Sequence, residues 1–259
     1  MTNYIIKQIN VQSGSNNLFG FLYLPNNNSN KHPLAVYSHE LANTLERGRA
    51  YAEYLASNNI ACYIFDYAGG SNESKSDGKT TDMSILTELS DLDNVISYFR
   101  QEDYIDIDNV FIIGASFGGN VAALYATQKP DSIKSLVLLY PGFVTYFALH
   151  DYYESLDNVP SEFSFRGWIN VGKKFVKDLW DRNPYDYIGK FTKDVLIIHG
   201  DEDKIVPLDY SKRAVNVYPN AKLTVLKGAS HHIFFHEYQE QAQALILAFI
   251  EKEIGSTNE

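Results

Sequence analysis

The sequence predicts an α/β fold: a mostly parallel sheet of about eight strands, flanked by helices and entered through antiparallel N-terminal strands. Three observations predict it. Short apolar runs of Val, Ile, Leu and aromatics recur along the chain, as strands buried on both faces require. Segments with helical spacing separate these runs, so the connections read as right-handed crossovers. The chain has 259 residues, 45% of them hydrophobic, which is enough for one sizeable core and one domain over residues 1–259.

The elements follow in order. "YIIKQINVQSG" and "LFGFLYLP" alternate apolar and polar residues and read as two antiparallel strands joined by the turn Ser13–Asn17. Asn26–Lys31, "NNNSNK", is a polar surface loop. "PLAVYSH" is the first doubly buried strand, "ERGRAYAEYLASNN" a helix and "IACYIFDY" the second such strand. The next helix, "TDMSILTELSDLDNVISYFRQ", sets Ile85, Leu89, Leu92, Ile96 and Phe99 on one face. "NVFIIGA" is a strand and "FGGNVAALYATQKP" the helix after it. "SLVLLY", "DVLIIHG" and "KLTVLKG" are the remaining strands. The chain closes on "EQAQALILAFIEKE", with Ala242, Leu245, Ile246, Phe249 and Ile250 at helical spacing.

One interval breaks this rhythm. About fifty residues separate "SLVLLYPGF" from "DVLIIHG", where a simple crossover needs far fewer. Residues 143–190 therefore read as an insert, a small lid over the C-terminal edge of the sheet. It is rich in aromatics, most of which pack among themselves. Trp168 is taken as a candidate substrate contact.

Composition excludes several functions. The formal net charge is −10 with no basic stripe, which argues against nucleic acid and against an anionic membrane surface. The single cysteine, Cys62, lies in an apolar run and reads as a small buried hydrophobe. The N-terminus lacks the basic and apolar regions of a signal peptide, and no stretch reaches the ~18 apolar residues of a membrane span. A cytoplasmic location is expected. No zinc spacing, phosphate loop or dinucleotide fingerprint is present, so no metal or organic cofactor is expected.

The chemistry is carried by three strand ends. Gly114-Ala115-Ser116-Phe117-Gly118 matches G-x-S-x-G between a strand-like and a helix-like run. That context puts Ser116 on a sharp turn as a candidate nucleophile. A nucleophilic serine needs a base, and the base needs an orienting acid. "IIHGDEDKIVP" offers Asp201, Glu202 and Asp203 after the next-to-last strand. "LKGASHHIFF" offers His231 and His232 after the last. The order serine, acid, histidine is that of a hydrolase, and all three loops leave one edge of a parallel sheet. The N–H of Phe117, at a helix N-terminus, is a candidate oxyanion donor.

With these motifs the sequence resembles the α/β-hydrolase superfamily of serine hydrolases, and within it the small bacterial esterases of the cinnamoyl/feruloyl type. The resemblance runs from about Leu34 to the C-terminal helix and includes "GASFGG", "HGDEDKIVP" and "GASHH". It implies an α/β-hydrolase fold with Asp203 as the acid and His231 as the base; Asp201 and His232 are the runners-up. Asp66, at a strand end, reads as loop-ordering. The resemblance also implies that Leu41 supplies the second oxyanion donor, from the family's H-G-x. Here that tripeptide is His39-Glu40-Leu41, with Glu40 where glycine is usual. A carboxylate there opposes oxyanion stabilisation, and losing one donor costs ~3–4 kcal/mol. Two readings follow. Glu40 turns away and pairs with Arg47 or Arg49, or it lines the site as a substrate contact and selects cationic substrates. The implied reaction is hydrolysis of carboxylic esters of small to medium acyl groups through an acyl-enzyme, acting on a small-molecule ester. A prolyl-oligopeptidase-type peptidase or amidase, a thioesterase, and a hydrolase-fold binding protein are the alternatives. Such peptidases usually carry a large N-terminal propeller, whereas about thirty residues precede the first buried strand here. Exposed lid aromatics offer a surface for a homodimer.

Overall fold

Alternation at the N-terminus produces more pieces than the pattern predicts. In the computed structural model, which describes residues 3–231 and 236–255, the expected hairpin is divided in two. Its outer part pairs β1 (Tyr4–Gln8) with β4 (Gly20–Pro25) in the main sheet. Its tip pairs β2 (Val11–Ser13) with β3 (Asn16–Leu18) as a separate ladder. The tip turns off because it has its own partner: Val11 and Ser13 are buried, and the Ser13 hydroxyl donates to Asp91 Oδ1 at 2.6 Å.

The remaining strands are β5 (His32–Ser38), β6 (Ala61–Phe65), β7 (Ile105–Ala115), β8 (Ser135–Leu139), β9 (Glu162–Phe165), β10 (Ile169–Gly172), β11 (Val195–Gly200) and β12 (Ala221–Leu226). The helices are α1 (Arg49–Ser57), α2 (Ile85–Phe99), α3 (Phe117–Gln128), α4 (Val144–Tyr152), α5 (Lys173–Leu179), α6 (Asp209–Val217) and α7 (His236–Gly255). The main sheet has eight strands in the order β1-β4-β6-β5-β7-β8-β11-β12. β1, β4 and β6 are joined antiparallel, and every pairing from β6 to β12 is parallel. The order reverses at β5, which has β6 on one side and β7 on the other. Such a reversal opens a crevice at the C-terminal strand ends, where open α/β sheets bind ligands.

Strand alternation feeds two cores. Leu34 and Val36 of β5 face the layer built by α2, α3, α5 and α6; Ala35 and Tyr37 face α1 and α7. α2 starts at a capping box, with Ser84 Oγ accepting from Thr87 N–H and Thr87 Oγ1 accepting from Ser84 N–H. Its buried face is wider than the apolar period suggests, because it also takes in Glu88 and Asp91. In α7, Ala242, Ile246 and Ile250 are buried, with Leu245 and Phe249 packed beside them.

The segment 143–190 holds α4, the β9–β10 hairpin and α5. Leu149, Val171, Phe175 and Leu179 are buried in the same apolar cluster as the sheet, so the insert shares that core. Two of its aromatics stand out of it: Tyr152 is 80% exposed and Trp168 47%.

Candidate active site

β7 ends at Ala115 and α3 begins at Phe117, leaving Ser116 alone to turn the chain. Its φ is +49° and ψ −119°, a conformation that costs a non-glycine residue ~1–3 kcal/mol unless its surroundings fix it. They do. Ser116 N–H donates to Leu139 O at 2.9 Å, and Ser116 O accepts from Gly142 N–H at 2.6 Å and Gly119 N–H at 2.9 Å. The motif glycines make room for the turn. A Cβ on Gly118 would collide with the carbonyls of Ser38 and His39, and one on Gly114 would come within 2.7 Å of Ala122 Cβ.

The later loops bring their side chains to this turn. His231, after β12, places Nε2 3.1 Å from Ser116 Oγ and Nδ1 2.7 Å from Asp203 Oδ2. Asp203, after β11, is enclosed by donors. Oδ1 accepts from the N–H groups of Ile205 and Val206, both at 2.8 Å. Oδ2 accepts from His231 and also from His199 Nε2 at 3.1 Å. Burial works against a charge on Asp203. The bonds from His199 and His231, the adjacent imidazole and the Val206 N–H outweigh it and hold the carboxyl well below its usual range. Asp201, the runner-up acid, instead accepts from Gly228 N–H at 2.6 Å and ties the β11 loop to the β12 loop. His232, the runner-up base, lies outside the described residues.

The loop after β5 supplies the opposite wall. His39 is buried, with the Glu40 carbonyl facing Nδ1 at 2.8 Å and the Tyr67 N–H facing Nε2 at 3.2 Å. A carbonyl on one nitrogen and an N–H on the other fix the neutral Nδ1–H tautomer, and burial lowers the pKa in the same sense. Next come Leu41, which is buried, and Ala42, with a left-handed φ of +60°. Neither the Leu41 nor the Phe117 N–H is engaged by a group among the described residues. Asp66 orders this loop from the end of β6, accepting from Leu45 N–H at 2.7 Å and Lys75 N–H at 2.8 Å.

Glu40 is buried, and the contacts seen among the described residues differ from a pairing with Arg47 or Arg49, the arrangement expected if it turned away. Arg49 holds Glu46, and Arg47 Nε donates to Asn43 Oδ1. Glu40 Oε1 accepts from the Tyr140 hydroxyl at 2.9 Å, and Oε2 is enclosed with no hydrogen-bond partner among the described residues. Burial, then the Glu40 charge, push the Tyr140 phenol well above its usual range, so it remains a donor. The Tyr140 ring meets the His231 ring edge-on at 4.7 Å, and its own φ is +38°. Ala42 and Ser116, both at positive φ in the loops that follow neighbouring strands, line one cavity of about 400 Å³. Glu40, Leu41, Ser116, His231 and Trp168 border it, with Trp168 reaching in from the β9–β10 turn. His39, Tyr140 and His199 are given no role by the sequence. Two of them carried a signal there: His39 opens the tripeptide His39-Glu40-Leu41, and His199 is the histidine of "HGDEDKIVP".

Fold and site together define an α/β-hydrolase. The chain belongs to the prolyl oligopeptidase family, whose family model matches residues 48–257. Among solved structures it is similar to Est1E from Butyrivibrio proteoclasticus with ferulic acid bound. The TM-score is 0.87 at 27% identity, over 95% of this chain and 99% of that one. The quorum-quenching protein AidA of Acinetobacter baumannii is 33% identical over 134 residues, 50% of this chain and 42% of AidA. Esterase FrsA of Vibrio cholerae is 26% identical over 144 residues, 54% of this chain and 32% of FrsA. The matches thus span less than half the length of either curated relative. Among the described residues, no helix is long and apolar enough to cross a membrane.

Proposed function

We propose that the protein is a serine hydrolase of carboxylic esters, with Ser116, His231 and Asp203 as its triad. The observation that carries this reading is the unbroken chain Ser116 Oγ–His231 Nε2, His231 Nδ1–Asp203 Oδ2, at 3.1 and 2.7 Å. Ser116 Oγ attacks the acyl carbonyl while His231 Nε2 takes its proton and then gives it to the leaving alcohol. Asp203 holds the proton on Nδ1 and stabilises the imidazolium. The N–H groups of Phe117 and Leu41 receive the oxyanion. Water, deprotonated by His231, attacks the acyl-enzyme; the acid leaves and Ser116 regains its proton.

Segment 143–190 acts as the lid of this single domain, and Trp168 contacts the substrate at the cavity mouth. Glu40 forms part of the wall, with its carboxylate committed to Tyr140. Ester cleavage is favoured by the near full-length likeness to Est1E, solved with ferulic acid bound. The family match favours a second reading, cleavage of an amide or peptide bond.

A fluorophosphonate probe tests the nucleophile: the wild type should label and Ser116→Ala should not. An unlabelled wild type would refute the mechanism and leave a binding protein. A panel of short acyl esters, hydroxycinnamate esters, thioesters and aminoacyl amides, blanked with Ser116→Ala, then ranks the bonds. Turnover of amides above esters would replace the first reading by the second.

A further inference from the structure

We propose that His199 is a positioning residue that sets both the orientation of the triad carboxylate and the basicity of His231. The inference rests on the triad reading above and adds a residue to it.

His199 is the next-to-last residue of β11 and is fully buried. Its Nε2 faces two acceptors, Asp203 Oδ2 at 3.1 Å and Val206 O at 2.9 Å, so the proton sits on Nε2. Its Nδ1 faces the Ser211 hydroxyl at 2.7 Å, which donates to it from α6. The ring is thus held at both ends, by α6 on one side and by the acid loop on the other. Oδ2 of Asp203 is the oxygen that also accepts His231 Nδ1–H. Two imidazoles therefore share one carboxylate oxygen, and only one of them reaches Ser116.

Sharing has a definite consequence. Each N–H donated to Oδ2 draws off part of its negative charge. With His199 in place, the carboxylate pulls less strongly on His231 Nδ1–H and stabilises the imidazolium less. Without it, the carboxylate is freer to rotate about its Cβ–Cγ bond, and the imidazolium form of His231 gains. Among the described residues, the titratable groups facing this cluster are Asp203, His231 and, just after β8, Tyr140, whose hydroxyl is committed to Glu40.

The test compares His199→Phe, His199→Gln and Ser211→Ala with the wild type. The readouts are kcat/KM against pH for a 4-nitrophenyl ester and the rate of fluorophosphonate labelling. Phe removes the donor; Gln returns an N–H near the Nε2 position. His199→Phe should lower kcat about 10- to 100-fold, the usual size for loss of an outer-shell partner. It should also move the acid limb of the kcat/KM profile to higher pH. His199→Gln should recover most of both effects. Ser211→Ala, which frees Nδ1 without touching Asp203, should shift the limb the same way by a smaller amount, and it keeps the test decisive if His199→Phe does not fold. An acid limb that stays put in the folded variants, or an equal loss in Phe and Gln variants, overturns the proposal. Failure of the wild type to label would instead bring down the triad reading, and this inference with it.

Discussion

Two buried carboxylates lie in loops at the same end of the sheet and are treated in opposite ways. Asp203 accepts four hydrogen bonds, two on each oxygen, from two backbone amides and two imidazoles. Glu40 accepts one, from Tyr140, and its other oxygen has no partner among the described residues. The proposed mechanism gives this difference a reason. In it, a charge on Asp203 orients His231 and stabilises the imidazolium that forms. A charge at Glu40 would stand beside the Leu41 N–H, the proposed oxyanion donor, and oppose the negative charge that develops there. The fold surrounds the first with donors. Among the described residues it holds the second through one phenol and gives its other oxygen no partner.

The sharpest way to break the comparison is Asp203→Asn. It keeps the shape but removes the charge, and the amide allows the wrong His231 tautomer. kcat should fall about 10⁴-fold. A loss below tenfold would mean that Asp203 is no more important than Glu40.

A third buried carboxylate extends the contrast to stability. Asp91 accepts from Ser13 Oγ–H and Ala68 N–H, yet burial outweighs both bonds and raises its pKa to about 6. Unfolded, an aspartate titrates near ~3.9. The raised value means the folded state binds the proton more tightly. Its contribution to stability is complete below pH ~4 and is lost as pH rises through about 6. Asp203 has the opposite sign and loses its contribution only in stronger acid. Asp91→Asn should therefore flatten the stability curve between pH ~4 and ~6, by up to about 3 kcal/mol, in urea titrations at several pH values. An unchanged curve would show that Asp91 does not titrate there.

Removing the one donor that Glu40 has among the described residues should have a smaller effect. Tyr140→Phe leaves both Glu40 oxygens unsatisfied, at a cost of ~1–3 kcal/mol. The melting temperature should fall by roughly 2–4 °C per kcal/mol. The packing of the ring on His231 survives, so kcat should drop less than tenfold. A fall as large as that of Asp203→Asn would show that the phenol itself takes part in catalysis.

Glu40→Gln should have the smallest effect. The amide keeps the Tyr140 bond and removes the charge. The ratio of kcat/KM for a choline ester to that for its neutral isostere should stay within about twofold of the wild type, since the enclosed carboxylate does not reach the substrate. A tenfold fall in that ratio would make Glu40 a cation-selecting substrate contact.

Much of the site was legible in the sequence because its chemistry is local. Gly114 and Gly118 flank Ser116 since the turn tolerates no Cβ there, and that requirement leaves a mark five residues long. Asp203 and His231 each follow an apolar run, and strand ends are readable from such runs. The partners of Glu40 were not legible. Tyr140 lies 100 residues away, and the tyrosine after "SLVLL" looks like any strand end. The same holds for Ser211, which reaches His199 from the far side of a loop. In α2 the apolar period missed Glu88 and Asp91; for Asp91 the reason is that its donors, Ser13 and Ala68, arrive from elsewhere in the chain.

By itself the sequence determined the alternation of strands and helices, the turn at Ser116 and the order of the three loops that carry the candidate site residues. These rest on backbone sterics and hydrophobic period, which act over a few residues. Only the tertiary structure decided that β5 lies between β6 and β7, that two histidines share Asp203, and that Glu40 faces a tyrosine rather than an arginine. Those outcomes depend on which groups meet once water is excluded. A buried carboxylate takes its state from whatever donors the fold brings to it.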